Sequence, residues 1–140
     1  MKNLVKKEIE KLIKELYWDT SVEKFKNEIS WDYFSKHQQL SEDFIREYQD
    51  HVEWGNISEY QKLSEDFIRE YEGEVNWRYI SAFQQLSEDF IIEFEDKINW
   101  EAIEIYQNIT KKYIKEYEFK KIIEENNKTK VKNKFQLIRF

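Results

Sequence analysis

Residues 54–71 read Trp-Gly-Asn-Ile-Ser-Glu-Tyr-Gln-Lys-Leu-Ser-Glu-Asp-Phe-Ile-Arg-Glu-Tyr, and this stretch decides the fold because the chain repeats it. Its second half, residues 63–71, is identical to residues 40–48. Residues 86–94 carry the same segment with two changes, and both steps along the chain are 23 residues long. Internal repeats of this length are typical of solenoids, in which each copy packs against the next.

Further copies extend the repeat in both directions. A weaker copy begins at Ile109, and a degenerate first copy is traced through Tyr17, Val22 and Phe25. The same 23-residue step is kept by the tryptophans Trp31, Trp54, Trp77 and Trp100. The repeat therefore predicts one continuous architecture for most of the chain.

Each copy predicts two short helices, here called helix A and helix B. Helix A is expected to follow a hydroxyl residue suited to the N-cap position. These caps are Ser41, Ser64, Ser87 and Thr110. Helix B is expected to begin at each tryptophan, after Ser30, Glu53, Asn76 and Asn99. Helices of about ten residues barely form alone in water, so stacking of the copies has to stabilise them.

The composition agrees with an all-helical fold. The 140 residues contain 40% hydrophobic and 37% charged residues, with no cysteine, no proline and only two glycines. The absence of cysteine excludes disulfides, thiolate metal sites and cysteine nucleophiles. No apolar run is long enough for a membrane span, and no secretory signal is present, so a cytoplasmic protein is expected.

The predicted fold is a short all-α solenoid of 23-residue two-helix repeats. Residues 1–126 form a single helical domain, divided into an N-terminal capping helix (1–17), the repeats (18–110) and a C-terminal capping helix (111–126). The capping helix is expected to bury an apolar stripe of Leu4, Val5, Ile9, Leu12, Ile13 and Leu16. Residues 127–140 form a basic tail, expected as a strand or an extended docked segment because Val131, Phe135 and Leu137 partly alternate with polar residues.

Slots filled identically in successive copies indicate packing. One of them holds glutamine, at Gln38, Gln61, Gln84 and Gln107. A ligand-binding role is one interpretation of these glutamines. The favoured interpretation is a side-chain amide that bonds to backbone groups at a tight helix junction, because buried backbone polar groups need partners.

Slots that vary between copies indicate an outward face. In helix B these slots lie at helical positions i, i+1 and i+4, and they form one candidate partner-binding surface. Its residues are Asp32, Tyr33, Lys36, Asn56, Glu59, Arg78, Tyr79 and Glu101. Plain solvent exposure is the alternative.

Charge is unevenly distributed. Residues 27–110 hold 6 lysines and arginines against 20 acidic residues, whereas residues 111–140 hold 10 against 4. Repeated pairs form a candidate acidic edge, made of Glu42, Asp43, Glu65, Asp66, Glu88 and Asp89. Direct binding of this acidic body to nucleic acid is disfavoured, and a basic protein surface is the better partner. Helix-dipole compensation and solubility are the alternative.

The basic tail offers a second type of contact. Lys128, Lys130, Lys132, Lys134 and Arg139 are candidate contacts for nucleic acid, with Phe135 and Phe140 available for stacking. Folding of the tail back onto the acidic body is the alternative.

Catalytic and metal-binding patterns are sparse. His37 occupies the slot of Tyr60, Phe83 and Tyr106, which predicts a packing variant of an aromatic position. His51 follows Glu47 by four residues, but two ligands do not make a metal site. No P-loop, H-E-x-x-H or G-x-S-x-G pattern occurs, so we expect no enzyme and no cofactor.

The segment Trp54-x-x-Ile57-Ser58-x-x-Gln61-x-Leu63-Ser64-Glu65-Asp66-Phe67-Ile68 resembles the tandem repeats of proteins from bacteriophages, giant viruses and some AT-rich bacteria. The resemblance covers about residues 17–119 and carries no assigned activity. It implies a phage-encoded inhibitor, with anti-CRISPR or other counter-defence action, that blocks a basic nucleic-acid-binding cleft of a host protein. Two alternatives remain: a structural scaffold that self-associates, and a nucleic-acid binder acting through the tail. The oligomeric state, monomer or dimer, stays open.

Overall fold

The computed structural model describes residues 1–107 and 111–138, with the side chains of 1–107 and 114–134. Across these residues the chain forms ten helices and no strand, which confirms the predicted all-α class. The helices are α1 (Asn3–Glu15), α2 (Val22–Glu28), α3 (Trp31–His37), α4 (Glu42–Glu47), α5 (Trp54–Tyr60), α6 (Glu65–Glu70), α7 (Trp77–Phe83), α8 (Glu88–Glu93), α9 (Trp100–Tyr106) and α10 (Lys111–Ile138).

The helices begin where the capping residues predict. Helix A corresponds to α4, α6 and α8, and each starts directly after a serine whose Oγ accepts a hydrogen bond from the backbone N–H three residues later. Helix B corresponds to α3, α5, α7 and α9, and each starts at its tryptophan. Ser30, Asn76 and Asn99 cap these helices through their side chains, whereas Glu53 does not. The N-cap thus fixes both starting points within a repeat.

A single apolar core runs through the stack. The phenylalanine and isoleucine of each helix A, such as Phe67 and Ile68, are fully buried, as is the isoleucine of α5, α7 and α9, such as Ile57. In α3 the same slot holds Phe34, which is also buried. The indoles are partly buried against this core. Trp54 packs on Tyr71 with ring centroids 4.9 Å apart, and its Nε1 donates to the Gln49 carbonyl at 3.2 Å. Helices of six or seven residues are therefore held by tertiary packing.

Successive repeats approach most closely through their B helices, because α3 packs on α5, α5 on α7 and α7 on α9. At the N-terminal end, α1 packs on α4 and α2. Its buried face is narrower than predicted. Val5, Ile9 and Leu12 are buried, but Leu4 is 68% and Leu16 42% exposed, because only one side of α1 meets other helices.

Helix α1 ends in a Schellman motif. The Trp18 N–H donates to the Ile13 carbonyl at 3.0 Å and the Tyr17 N–H to the Lys14 carbonyl at 3.2 Å. This motif places its C′ residue in the left-handed region, which favours glycine. Here the residue is Tyr17, with φ of 50°, and its side chain is 96% exposed.

The C-terminal segment differs from the prediction. Helix α10 runs without a break from Lys111 to Ile138, so the expected boundary at residues 126/127 and the expected strand or extended tail are wrong. Val131 and Phe135 are four residues apart, which is helical spacing, and residues 111–138 contain no glycine or proline. The expected cap Thr110 lies outside the described residues.

Candidate partner-binding surface

Three of the repeated glutamines, Gln61, Gln84 and Gln107, bond to the backbone of the preceding repeat. Gln84 is 5% exposed, and its Nε2 donates to the carbonyls of Ser58 at 2.9 Å and Gln61 at 2.7 Å. Its Oε1 accepts from the Leu63 N–H at 3.0 Å. Carbonyls at the end of a helix lack partners inside the helix, so this amide completes the C-terminal end of the preceding helix B. Gln61 makes the same three bonds one repeat earlier, which confirms the favoured interpretation over ligand binding.

A second repeated polar residue, the serine of helix B, also holds the repeats together and was not predicted from the sequence. Ser58 is fully buried, its Oγ donates to the Trp54 carbonyl at 2.7 Å, and it accepts from the Asn76 N–H at 2.9 Å. Ser35 and Ser81 accept the same bond from the following repeat. The sequence signal for this role is that serine occupies the fourth position after the tryptophan in three of the four copies.

The glutamates of the acidic edge also bond within the fold. The Glu42 carboxylate accepts from the Ser64 N–H at 2.6 Å, and that of Glu65 accepts from the Ser87 N–H at 2.6 Å. Glu8 of α1 does the same for Ser41. Each glutamate thus satisfies the cap residue of the next helix A. The corresponding partner of Glu88, Thr110, lies outside the described residues.

Two aspartates of the acidic edge, Asp43 and Asp66, are paired with arginine, and the third, Asp89, is not. Arg46 bonds Asp43 at 3.2 Å and Glu70 at 2.9 Å. Arg69 repeats this arrangement with Asp66 and Glu93. The hydrogen bond and charge of Glu93 raise the pKa of Arg69 above its ordinary value. In the third copy Ile92 replaces the arginine, and exposed Asp89 has no cationic partner among the described side chains.

The variable residues of helix B lie on one outward face, as expected. Asp32, Tyr33, Lys36, Arg78 and Glu101 are exposed, and Asn56, Glu59 and Tyr79 are half-buried between neighbouring B helices. Asn56 Nδ2, for example, donates to Asp32 Oδ1 at 3.0 Å. We call this surface, together with the last residue of each helix B, the B-helix face.

An aromatic column runs along the B-helix face. It comprises His37, Tyr60, Phe83 and Tyr106, the last residue of each helix B. Tyr60 is 46%, Phe83 51% and Tyr106 60% exposed, so this slot lies at the surface, where its rings pack on neighbouring side chains rather than in the core. The slot is the last residue of helix B, on the side of that helix that faces away from the core. Among the apolar and aromatic slots that recur in successive copies, this one faces solvent, whereas the others lie in or against the core.

The column borders a surface cleft of about 300 Å³ between α7 and α9. Its walls include Arg78, Ala82, Phe83, Glu101 and Tyr106. Phe83 and Tyr106 have ring centroids 5.9 Å apart. Apolar and aromatic walls with a few charged groups at the rim are typical of sites that bind a partner side chain.

The tail lysines are presented on a helix rather than on an extended segment. Lys128, Lys130, Lys132 and Lys134 are exposed, and no acidic partner lies within ion-pair distance among the described side chains. Nearer the body, Lys120 pairs with Glu95 and Lys121 with Asp96, both at 3.9 Å. Arg139 and Phe140, and the side chain of Phe135, lie outside the described residues.

The two histidines make aromatic contacts. His51 stacks on Trp31 with ring centroids 5.2 Å apart, and His37 lies 4.5 Å from Tyr33. Within residues 1–107 and 114–134, no three His, Asp or Glu side chains are grouped so as to hold a metal ion. None of the described helices has the length and apolar character needed to span a bilayer.

Comparisons of the chain with protein-family models, with curated proteins and with solved structures find no match. Function is therefore inferred from the surface itself.

Proposed function

We propose that this chain is a non-enzymatic protein-binding module that docks through the B-helix face. The observation that supports this proposal is the aromatic column. The tryptophan, phenylalanine, isoleucine and glutamine slots of the repeat lie in or against the core. The aromatic slot is kept as aromatic or histidine in four copies while about half of each of the three larger rings contacts solvent.

Aromatic side chains suit such a role. They bury a large area with little loss of side-chain entropy, and tyrosine adds a hydrogen-bonding group. The B helices hold the rings at regular spacing, because each is fixed by the Gln and Ser bonds between repeats. A rigid row of rings loses little conformational freedom on binding.

The charge of the body points to a basic partner. Residues 27–110 hold 20 acidic residues against 6 lysines and arginines. The negative electrostatic potential of this excess raises the association rate with a cationic surface. Our finer proposal is a phage-encoded inhibitor in the bacterial cytoplasm that covers a basic nucleic-acid-binding cleft of a host protein. The acidity and the repeat resemblance support that version, including the anti-CRISPR or other counter-defence role.

The test separates the B-helix face from the acidic edge. The wild-type chain is immobilised, the host protein it captures is identified, and its affinity is measured by calorimetry. Phe83→Ala with Tyr106→Ala is expected to weaken binding by at least about 30-fold, since a single hot-spot aromatic contributes about 2 kcal/mol or more. Tyr17→Ala, which removes an exposed ring outside the face, is the matched control.

Two results would count against the proposal: capture of no protein, or full affinity in the Phe83/Tyr106 variant. The acidic edge is tested with Asp43→Asn, Asp66→Asn and Asp89→Asn combined. Reversal of Glu42 or Glu65 to lysine is avoided because both glutamates bond to backbone. The aspartate variant is expected to slow association and flatten its salt dependence while leaving dissociation nearly unchanged.

A second candidate, nucleic-acid binding through α10, is favoured by one observation. Residues 128–134 present four exposed lysines without a described acidic partner. The expected signature is retention on RNA or single-stranded DNA that falls steeply with salt and is lost on deletion of residues 127–140.

A further inference from the structure

The repeats provide an internal comparison at the aromatic column. In the first pair of stacked B helices, Lys36 Nζ lies over the Tyr60 ring, 5.2 Å from its centroid. A cation over an aromatic face is attracted by the ring quadrupole. One repeat later the same two slots hold Glu59 and Phe83, and two repeats later they hold Ala82 and Tyr106.

The exchange of lysine for alanine leaves space at the last ring. Ala82 and Tyr106 both line the cleft of about 300 Å³ between α7 and α9. Tyr106 is 60% exposed, compared with 46% for Tyr60 beneath its lysine. The chain therefore covers the ring of Tyr60 with its own cation and leaves the equivalent place at Tyr106 open.

We propose that this cleft binds a lysine or arginine side chain of the protein partner, placed over Tyr106 as Lys36 is placed over Tyr60. Phe83 provides a second ring, and the Glu101 carboxylate at the rim provides a counter-charge. Arg78 also lines the cleft and opposes a cation. The excess of acidic over basic residues in the repeats outweighs this single charge over longer range.

This inference rests on the proposed function and makes it more specific. The B-helix face supplies the general docking surface, and the cleft selects the charge of one partner side chain. A basic nucleic-acid-binding surface presents many lysine and arginine side chains, which are the side chains that this cleft would bind.

The test uses two short peptides, acetyl-Ala-Lys-Ala-amide and its norleucine analogue, titrated to millimolar concentrations against the full chain. Binding is followed by NMR of the aromatic ring signals of Phe83, Tyr106 and Tyr60. The lysine peptide is expected to shift the Phe83 and Tyr106 signals and to bind about 2- to 30-fold more tightly than the norleucine peptide.

Two variants exploit the repeat. Ala82→Lys supplies the chain's own cation and is expected to abolish the shifts at Tyr106. Lys36→Ala uncovers the earlier ring and is expected to produce a second set of shifts at Tyr60. Both substitutions lie on exposed or half-buried helix positions, so circular dichroism is expected to show the wild-type fold.

Equal binding of the norleucine peptide, retained shifts in Ala82→Lys, or no new site in Lys36→Ala would each overturn the inference. These results are distinct from failure of the proposed function. If the B-helix face binds its partner without selecting for charge, the peptide tests fail, but the Phe83/Tyr106 variant still loses affinity for the protein partner.

Discussion

Replacement of Gln84 by methionine tests the bond between repeats directly. Methionine keeps the length and the apolar part of the side chain, so packing changes little. It removes the amide that serves three buried backbone groups: the carbonyls of Ser58 and Gln61 and the N–H of Leu63. We expect a large loss of stability without a change of fold.

The magnitude follows from those three groups. A buried backbone group left without a partner costs about 1–3 kcal/mol. Local relaxation and entry of water at one carbonyl recover part of the total, so we expect a loss of about 3–5 kcal/mol. This is a large fraction of the roughly 5–15 kcal/mol by which native domains are stable.

Urea unfolding followed by circular dichroism and tryptophan fluorescence measures the effect. The neighbouring Gln85 is exposed, and Gln85→Ala serves as the matched control with an expected change within about 0.5 kcal/mol. If Gln84→Met lost no more than about 1 kcal/mol, the amide would not hold adjacent repeats together, and apolar stacking alone would account for the solenoid.

Three further predictions concern other parts of the chain. Tyr17→Gly is expected to raise stability by about 0.5–1 kcal/mol, because Tyr17 has a positive φ and an exposed side chain; a fall in the urea midpoint would contradict this. Ile92→Arg is expected to pair with Asp89 and add about 0.2–1 kcal/mol, a gain that should vanish in high salt. Burial, with a smaller effect of the adjacent glutamate, raises the pKa of Tyr48 and of Tyr71. The stability that the two neutral phenols contribute is therefore complete below the unfolded-state pKa of about 10. It is lost as pH rises through the raised folded-state pKa. Tyr48→Phe with Tyr71→Phe should flatten the fall of the urea midpoint above about pH 10, and an unchanged slope would refute the assignment.

The repeat and its caps could be predicted from the sequence because their causes are local. A serine or asparagine before an apolar helical pattern fixes where a helix starts, and Ser41, Asn76 and Asn99 all act in this way. The role of the glutamines was also predictable, since a polar residue kept at a sharp helix junction needs backbone partners there.

The surface was less predictable because exposure depends on where one helix ends relative to the next. In the sequence, Tyr60, Phe83 and Tyr106 share one aromatic slot, yet each is about half exposed at the C-terminal end of its helix B. The bonds of Glu42 and Glu65 reach across 22 residues, and no local pattern reveals them. The last segment was mispredicted because partial alternation over a few residues does not distinguish a strand from a polar helix.

The bonds of Gln84 and Glu65 reach in opposite directions along the chain, one to the copy before and one to the copy after. Duplication of residues 64–86 would therefore insert a segment that already possesses both halves of its own junctions. Genetic recombination can therefore add or remove whole repeats without disrupting the junctions. Each added repeat would extend the B-helix face by one helix and one aromatic side chain.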